Sequence, residues 1–357
     1  MRREHLERLR PSCPTCLVAG REAQPLALGT VVRLEGDDVL EGVLVCPERL
    51  CRREHPIIDG IPVVVADLVG WAAHQLDGVL RRDDLSPFTE SLLGDAAGPG
   101  SGFDRERLNS SAYGRSHWGD LDPEAPLPKE ESFAELVDVA LGLLDEPGRG
   151  PWIDVGCAVG RGTVEIARRT GDLAVGVDLS FSLLRVAERV RREGRAVFPL
   201  RRVGLVFDRR EIAVPEVPRE LLSFWCCDAG ALPFADKSFA GALSLNLLDC
   251  VLSPLGHILE LGRTLRGRAA LLLATPYDWS PTATPIEQWI GGHSQRGEVH
   301  GSSAAELRRI FSADAAAGVD TGLVLVAERD RVPWRVYTHE RASTEYAVHL
   351  LRLERKA

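Results

Sequence analysis

No stretch of the 357-residue chain approaches the roughly 18 consecutive apolar residues of a membrane-spanning helix. The opening run MRREHLERLRPSC is charged and lacks the apolar core of a secretory signal, so the chain reads as cytoplasmic and without membrane contact. A basic excess is also missing. The formal net charge of −9 disfavours a nucleic-acid partner, because proteins that neutralise many phosphates carry surplus lysine and arginine. Internal repeats and low-complexity blocks are absent. With 45% hydrophobic and 27% charged residues there is material for a core, which excludes wholesale disorder. Eight cysteines without a secretory signal point away from disulfides and towards reduced thiols and metal ligands.

What is present divides into three parts. Residues 1–70 read as a small β-rich module in which Cys13-Pro-Thr-Cys16 and Cys46-Pro-Glu-Arg-Leu-Cys51 bracket VVRLEGDDVLEGVLV, a hairpin turning at Gly36-Asp37-Asp38. Residues 71–130 read as linker and N-terminal helices: the stretch from 85, rich in Gly, Pro, Ser and Asp and containing GDAAGPGSG, is expected to be a linker with a short helix near Tyr113–Trp118. From 131 to 357 strands and helices alternate. PWIDVG, LAVGVDL, LLSFWCCDA, AGALSLNLLDCV and AALLLATPY read as strands, with amphipathic helices between them. Such alternation predicts an α/β fold, a parallel sheet with helices on both faces. The run RRVGLVFDRREIAVPEV is longer than a connection needs and reads as an insertion near one edge of the site.

Ile153-Asp154-Val155-Gly156-Cys157-Ala158-Val159-Gly160 places glycines at a strand-to-helix turn, where backbone amides can approach a ligand closely. Asp178 closes the next strand eighteen residues after Gly160, positioned to accept ribose hydroxyls. Asp228 ends the third strand and is followed by LPFADKSFAGALSLN. Together these resemble the class I S-adenosylmethionine-dependent methyltransferases. That resemblance implies a Rossmann-like seven-stranded sheet and a cofactor site built from Asp154, Gly156, Gly160, Asp178, Leu179, Asp228, Ala229 and Asn246, with Tyr113 on an N-terminal helix folded over it. Two positions depart from the pattern: Ala158 replaces the middle glycine and Ala240 the aspartate usual after Ser238-Phe239. Neither performs chemistry.

The DVGCAVG loop, Asn246-Leu247-Leu248-Asp249, the segment from Ala274 to Gly292 and the terminal VPWRVYTHERASTEYAVHLLRLER are similar to the methyltransferase domain of ovothiol-forming enzymes, which methylates the imidazole of a thiolated histidine. The resemblance implies methyl transfer to an imidazole nitrogen of a histidine-like compound or peptide histidine. A neutral imidazole carries a free lone pair at neutral pH, its reference pKa being about 6.5, so positioning replaces base catalysis. Asn246 and Tyr277 at strand ends are then expected to orient the ring, with the segment from Tyr277 to Gly292 as a lid and His339 and Arg341 near substrate, Arg341 clamping a carboxylate. Trp279 and Trp289 read more readily as packing residues, and Tyr113 and His117 are candidates to line the site.

The cysteine pairs, followed by His55-Pro56-Ile57-Ile58-Asp59-Gly60-Ile61-Pro62-Val63-Val64-Val65, resemble the zinc-ribbon-like domain fused to, or partnering, RNA and protein methyltransferases. This implies a structural zinc on Cys13, Cys16, Cys46 and Cys51, although the four-residue gap between the last two departs from the usual spacing. It also implies a protein partner through the module, and it keeps an RNA base methyltransferase as an alternative. A non-catalytic cofactor-binding scaffold is the third reading. Cys157, Cys226, Cys227 and Cys250 are expected to be packing thiols.

Overall fold

The structure is a computed structural model that describes residues 1–21, 24–312 and 319–357. The N-terminal part contains α1 (Arg3–Leu9), α2 (Pro14–Val18), β1 (Ala27–Glu35), β2 (Asp38–Val45), β3 (Glu54–Ile58) and β4 (Ile61–Pro62). The strands form one antiparallel sheet in the order β1-β2-β3-β4. The expected hairpin is there, its pairs closing through Leu34–Val39 and Glu35–Asp38 around Gly36 and Asp37.

Three helices, α3 (Leu68–Leu80), α4 (Pro87–Ala97) and α5 (Gly102–Trp118), occupy much of the stretch expected to be a linker. Its polar composition misleads because serines serve as caps. The Ser86 side chain accepts from the Thr89 amide with Pro87 in the first turn, and Ser101 accepts from the Asp104 amide. GPGS is thus the break between two helices, and the expected short helix reaches back to Gly102.

After α6 (Phe133–Leu141) come β5 (Trp152–Val155), α7 (Arg161–Thr170), β6 (Ala174–Asp178) and α8 (Phe181–Glu193), then β7 (Arg195–Val203), β8 (Val206–Ala213) and β9 (Leu222–Cys226). The chain finishes with β10 (Phe239–Leu245), α9 (Pro254–Thr264), β11 (Leu265–Thr275), α10 (Ser303–Ile310), β12 (Leu323–His339) and β13 (Ala342–Arg355). The seven-stranded sheet runs β12-β13-β11-β10-β5-β6-β9. From β11 to β9 all neighbours are parallel, and β13 enters antiparallel between β11 and β12. Strands β5, β9 and β10 are buried at every residue, as parallel strands covered on both faces must be. Strand order reverses between β5 and β10, and that crevice at the carboxyl ends is where open sheets bind ligands.

The insertion after Ala196 is the hairpin β7–β8. It stands behind α5, where the Arg201 amide donates to Ser111 Oγ at 2.8 Å. Its residues do not line the cavity described below, so it supports one wall rather than forming an edge of the site.

The N-terminal sheet is fastened to the large one. Arg191 of α8, its side chain 1% exposed, pairs with Asp38 at 2.9 Å and Glu188 at 2.6 Å. Beyond β4, Val63 bridges Cys226 in parallel register and the Val64 amide donates to the Cys226 carbonyl at 2.8 Å, lengthening the large sheet past β9. No helix among the described residues is long and apolar enough to cross a membrane.

Candidate active site

A cavity of about 500 Å³ opens at the carboxyl ends of β5, β6, β9 and β10, roofed by α5 and by Gln75 from the middle of α3. The loop after β5 forms its floor. Gly156 has φ +79°, and a Cβ there would lie 2.9 Å from the Leu247 side chain, so only glycine keeps the floor open. Gly160 serves packing instead. Its missing Cβ leaves room for Ala187 and Phe224, and it does not line the cavity. Ala158 holds a left-handed φ of +48°, a conformation a glycine would adopt without strain.

Asp178 explains how that loop stays in place. One carboxylate oxygen accepts the Ala158 amide at 2.9 Å and the other accepts the Ser180 amide at 2.8 Å. Burial raises its pKa while these amides oppose the rise. Asp178 itself lines the cavity, and a carboxylate has acceptor capacity beyond these two amides.

Asp154 lies below the loop, 3% exposed and outside the cavity lining, with Thr163 donating its hydroxyl to Oδ2 at 2.8 Å. Burial pushes its carboxyl up to about 7 against the Thr163 hydrogen bonds. Between about pH 4, where an unfolded aspartate titrates, and pH 7, the native chain therefore holds a proton that the unfolded chain has lost. The stabilisation from this group is complete below pH 4 and disappears as pH rises through 7. Denaturant titrations of wild type and Asp154→Asn should show the wild type losing about 2–4 kcal/mol relative to the variant across that window. Parallel pH profiles would rule the buried proton out.

The far wall is Asp228, Ala229 and Asn246. Asp228 is exposed at the rim, its Oδ1 accepting the Gly230 amide at 2.8 Å. Ala229 is held from behind by His257, whose role the sequence did not signal. His257 Nδ1 donates to the Ala229 carbonyl at 3.1 Å, leaving Nε2 to accept the Ser244 hydroxyl at 2.8 Å, and burial drops its pKa to about 4. Asn246 sits just past β10 with φ +56°, a conformation asparagine tolerates. Both its side-chain nitrogen and oxygen are buried without a hydrogen-bond partner.

Across the cavity α5 presents Tyr113 and His117, so both residues do line it. His117 stacks on Phe133 at 4.0 Å, burial lowers its pKa to about 3, and its Nδ1 has no partner. Arg161 anchors this helix end, donating to the His117 carbonyl at 3.0 Å and lying 5.0 Å over the Trp118 ring. Among the described residues the lining contains two carboxylates and no arginine or lysine.

Residues 153–273 match the family described as methyltransferase domain. Those residues are thus a methyltransferase domain. A curated relative, methyltransferase GfsG of Streptomyces halstedii, is 29% identical over 154 residues, 43% of this chain and 47% of that protein. The chain thus spans about half the length of the curated relative it matches. Among solved structures it is similar to an S-adenosylmethionine-dependent methyltransferase of Methanosarcina mazei, with 18% identity, TM-score 0.39, and 61% and 97% of the two chains covered. It is also similar to YcgJ of Bacillus subtilis, with 15% identity, TM-score 0.40, and 62% and 99% covered.

The expectations divide between Leu179 and Ala229, expected on the cofactor side, Asn246, expected on both sides, and Tyr277, His339 and Arg341, expected on the acceptor side. Leu179, Ala229 and Asn246 line the cavity, whereas Tyr277, His339 and Arg341 do not. Tyr277 is committed elsewhere: its hydroxyl donates to His349 Nδ1, and His349 Nε2 donates to Glu328 at 2.9 Å. Tyr277→Phe should accordingly leave methyl transfer unchanged and lower stability by about 1–2 kcal/mol, read by chemical denaturation beside a transfer assay. A large fall in turnover with intact cofactor affinity would return Tyr277 to the site.

His339 and Arg341 occupy the turn of the β12–β13 hairpin, where the Arg341 side chain is 83% exposed. The residue of that strand that reaches the cavity is Trp334, bonded through Nε1 to Ser116 Oγ at 3.2 Å and stacked on Tyr346. Five residues of strand separate it from His339, about 16 Å, which carries the turn out of reach. The segment from Tyr277 to Gly292 is not a lid over the cavity. Thr284 binds the Val251 carbonyl at 2.7 Å, Trp279 and Trp289 stack on each other, and none of the segment lines the cavity, which agrees with packing roles for both tryptophans. Cys157, Cys226 and Cys227 are buried as expected, but Cys250 is exposed and lines the cavity.

Away from the cavity, the sulfurs of Cys13, Cys16, Cys46 and Cys51 all lie within 4.8 Å of one another. Cys13–Cys51 and Cys16–Cys46 are each 3.7 Å apart. A zinc tetrahedron with 2.3 Å bonds has edges of about 3.8 Å, so the donor set and its spacing fit that ion. His55 stands behind Cys13, its Nε2 3.6 Å from the sulfur.

Proposed function

We propose that the protein transfers the methyl group of S-adenosylmethionine to a neutral nitrogen nucleophile held against Asn246. The best match is the imidazole of a peptide histidine or of a histidine-like compound. The observation that carries this reading is the Asn246 side chain, buried at a strand end with neither polar atom paired. Leaving an amide so is costly unless a ligand completes it, by about 1–3 kcal/mol for each group. Asn246 Oδ1 can take the N–H of an imidazole, which fixes the tautomer and points the other nitrogen's lone pair at the sulfonium methyl. A nitrogen–carbon bond forms as the carbon–sulfur bond breaks, S-adenosylhomocysteine leaves neutral, and the ring proton passes to water. Asp178 and Asp228 favour the cationic cofactor.

The same electrostatics narrow the acceptor. With no cation in the lining, a free carboxylate beside the ring has no partner, and Arg341 is too distant to supply one. A histidine inside a peptide suits the site better than free histidine. RNA, which would bring phosphates to an acidic opening, suits it less. Labelled cofactor offered with histidine, mercaptohistidine, histidine-containing peptides and RNA tests this. Transfer to peptides or small imidazoles is the expected result, and transfer to RNA alone would overturn it.

The four thiols are proposed to hold one structural zinc, with the His55 ring supporting Cys13 from behind. Burial pushes the Cys16 thiol up to about 11 and Cys46 higher still, while at Cys51 burial is outweighed by hydrogen bonds from the Arg53 amide and the neighbouring thiols, which lower it. Elemental analysis of protein never exposed to chelator should find one zinc per chain. A folded preparation free of metal would refute the site.

A further inference from the structure

Three hydrogen-bonded ties leave the N-terminal sheet and its neighbouring segments for the walls of the cofactor cavity, and two of them start at the thiol cluster. Ser12, the residue before Cys13, donates its amide to the Pro233 carbonyl at 2.6 Å. Pro233 closes the loop that begins at Cys227, Asp228 and Ala229, all in the cavity lining. Thr15, between Cys13 and Cys16, donates its hydroxyl to the Ala66 carbonyl at 3.0 Å. Ala66 adjoins Asp67, the cap of α3, and α3 delivers the Trp71 indole to the Leu179 carbonyl at 3.3 Å. The third tie is the Val64 amide on Cys226, two residues before Asp228.

Ser12 is steadied by its bridge to Pro25, but the element that carries Thr15 cannot hold its own geometry. Helix α2 has five residues, too short to persist alone. What fixes it is whatever joins Cys13 and Cys16 to Cys46 and Cys51. Unjoined, the sulfurs offer one another only weak thiol contacts. Joined through a metal, they lock both tie points relative to the sheet.

Building on the zinc assignment above, we infer that occupancy of the four-thiol site sets the affinity of the methyltransferase cavity for its cofactor, with Ser12 and Thr15 as the positioning residues between them. Coupling of this kind is reciprocal: cofactor raises zinc affinity by the factor by which zinc raises cofactor affinity. The cysteine module is therefore a gain control on the catalytic domain, sensitive to metal supply and thiol oxidation.

The test uses the full chain with its metal content measured. S-adenosylhomocysteine is titrated by calorimetry into zinc-loaded protein, into protein stripped by chelator under reducing conditions, and after zinc is returned. The dissociation constant should rise about tenfold on stripping, within the usual range for coupled sites, and recover with zinc. Competition against a chelator should show S-adenosylhomocysteine strengthening zinc binding by the same factor. Thr15→Val, which keeps all four thiols, should retain stoichiometric zinc yet show a smaller change on stripping. Ser12→Pro, which deletes the amide donor, should do the same. An unchanged dissociation constant in stripped protein that remains folded by circular dichroism overturns the coupling and leaves the zinc site standing. Full coupling in both variants overturns the proposed route. A chain that takes up no zinc overturns the metal assignment and the coupling with it.

Discussion

Asp178→Ala is expected to weaken S-adenosylhomocysteine binding about a hundredfold or more, the largest single effect at the cofactor site. Two losses combine. The carboxylate is placed to accept ribose hydroxyls, and charged hydrogen bonds of that kind contribute about 1.5–3 kcal/mol. It also accepts the amides of Ala158 and Ser180, and the Ala158 amide belongs to a residue held at φ +48°. Without the acceptor the Ala158 amide is left unpaired at the strained turn, while Gly156 and Cys157 stay bonded to the Val177 carbonyl, so the cavity floor loosens locally as the ribose contact is lost. Asp178→Asn keeps one acceptor oxygen for the loop and should fall between the two. Calorimetric titration decides the matter: an alanine variant binding as tightly as wild type would remove Asp178 from the cofactor site.

Removing the Asn246 side chain should have the second largest effect, and it should fall on turnover rather than on cofactor affinity. The residue sits at φ +56°, so alanine would add backbone strain of about 1–2 kcal/mol that has nothing to do with catalysis. Asn246→Gly deletes the amide without that strain and is the informative variant. Loss of a contact that orients the acceptor should slow transfer about a hundredfold, or roughly 2.7 kcal/mol, with S-adenosylhomocysteine affinity nearly unchanged. Asn246→Asp keeps the shape and one acceptor but adds a negative charge to a cavity already lined by Asp178 and Asp228, so it too should transfer slowly. Wild-type turnover by the glycine variant, on whichever acceptor proves active, would show that the unpaired amide is not the acceptor's partner.

Where the sequence could be read, the signals were local. Strands of wholly buried residues announce themselves as apolar runs, and Gly156, Asp178 and Asp228 stand at strand ends because a parallel sheet must turn there. The hairpin of the cysteine module and the pairing of its four thiols were legible for the same reason. A turn at Gly36-Asp37 and two short Cys-to-Cys spacings leave few other arrangements. Helix α4 and the first half of α5 were read as linker because a cap and a linker share a composition, and only hydrogen bonds tell them apart.

The acceptor side shows the opposite case. Tyr277 stands at a strand end like Asn246, yet a histidine seventy-two residues later takes its hydroxyl away from the cavity. His339 and Arg341 lie in the same terminal segment as Trp334, but strand length carries them to an exposed turn while Trp334 meets Ser116 of α5. His257 reaches Ala229 only because α9 packs across β10.

The sequence by itself determined that this chain folds as an α/β sheet with a cofactor loop and a four-cysteine module, since periodicity, turn residues and short spacings act within a few residues of each other. Tertiary structure alone decided which polar groups are left unpaired inside the cavity, which are satisfied from distant strands, and that the cysteine module is tied to the cavity walls. Whether a buried donor or acceptor is free depends on partners tens to hundreds of residues away, brought into contact only by the packed fold.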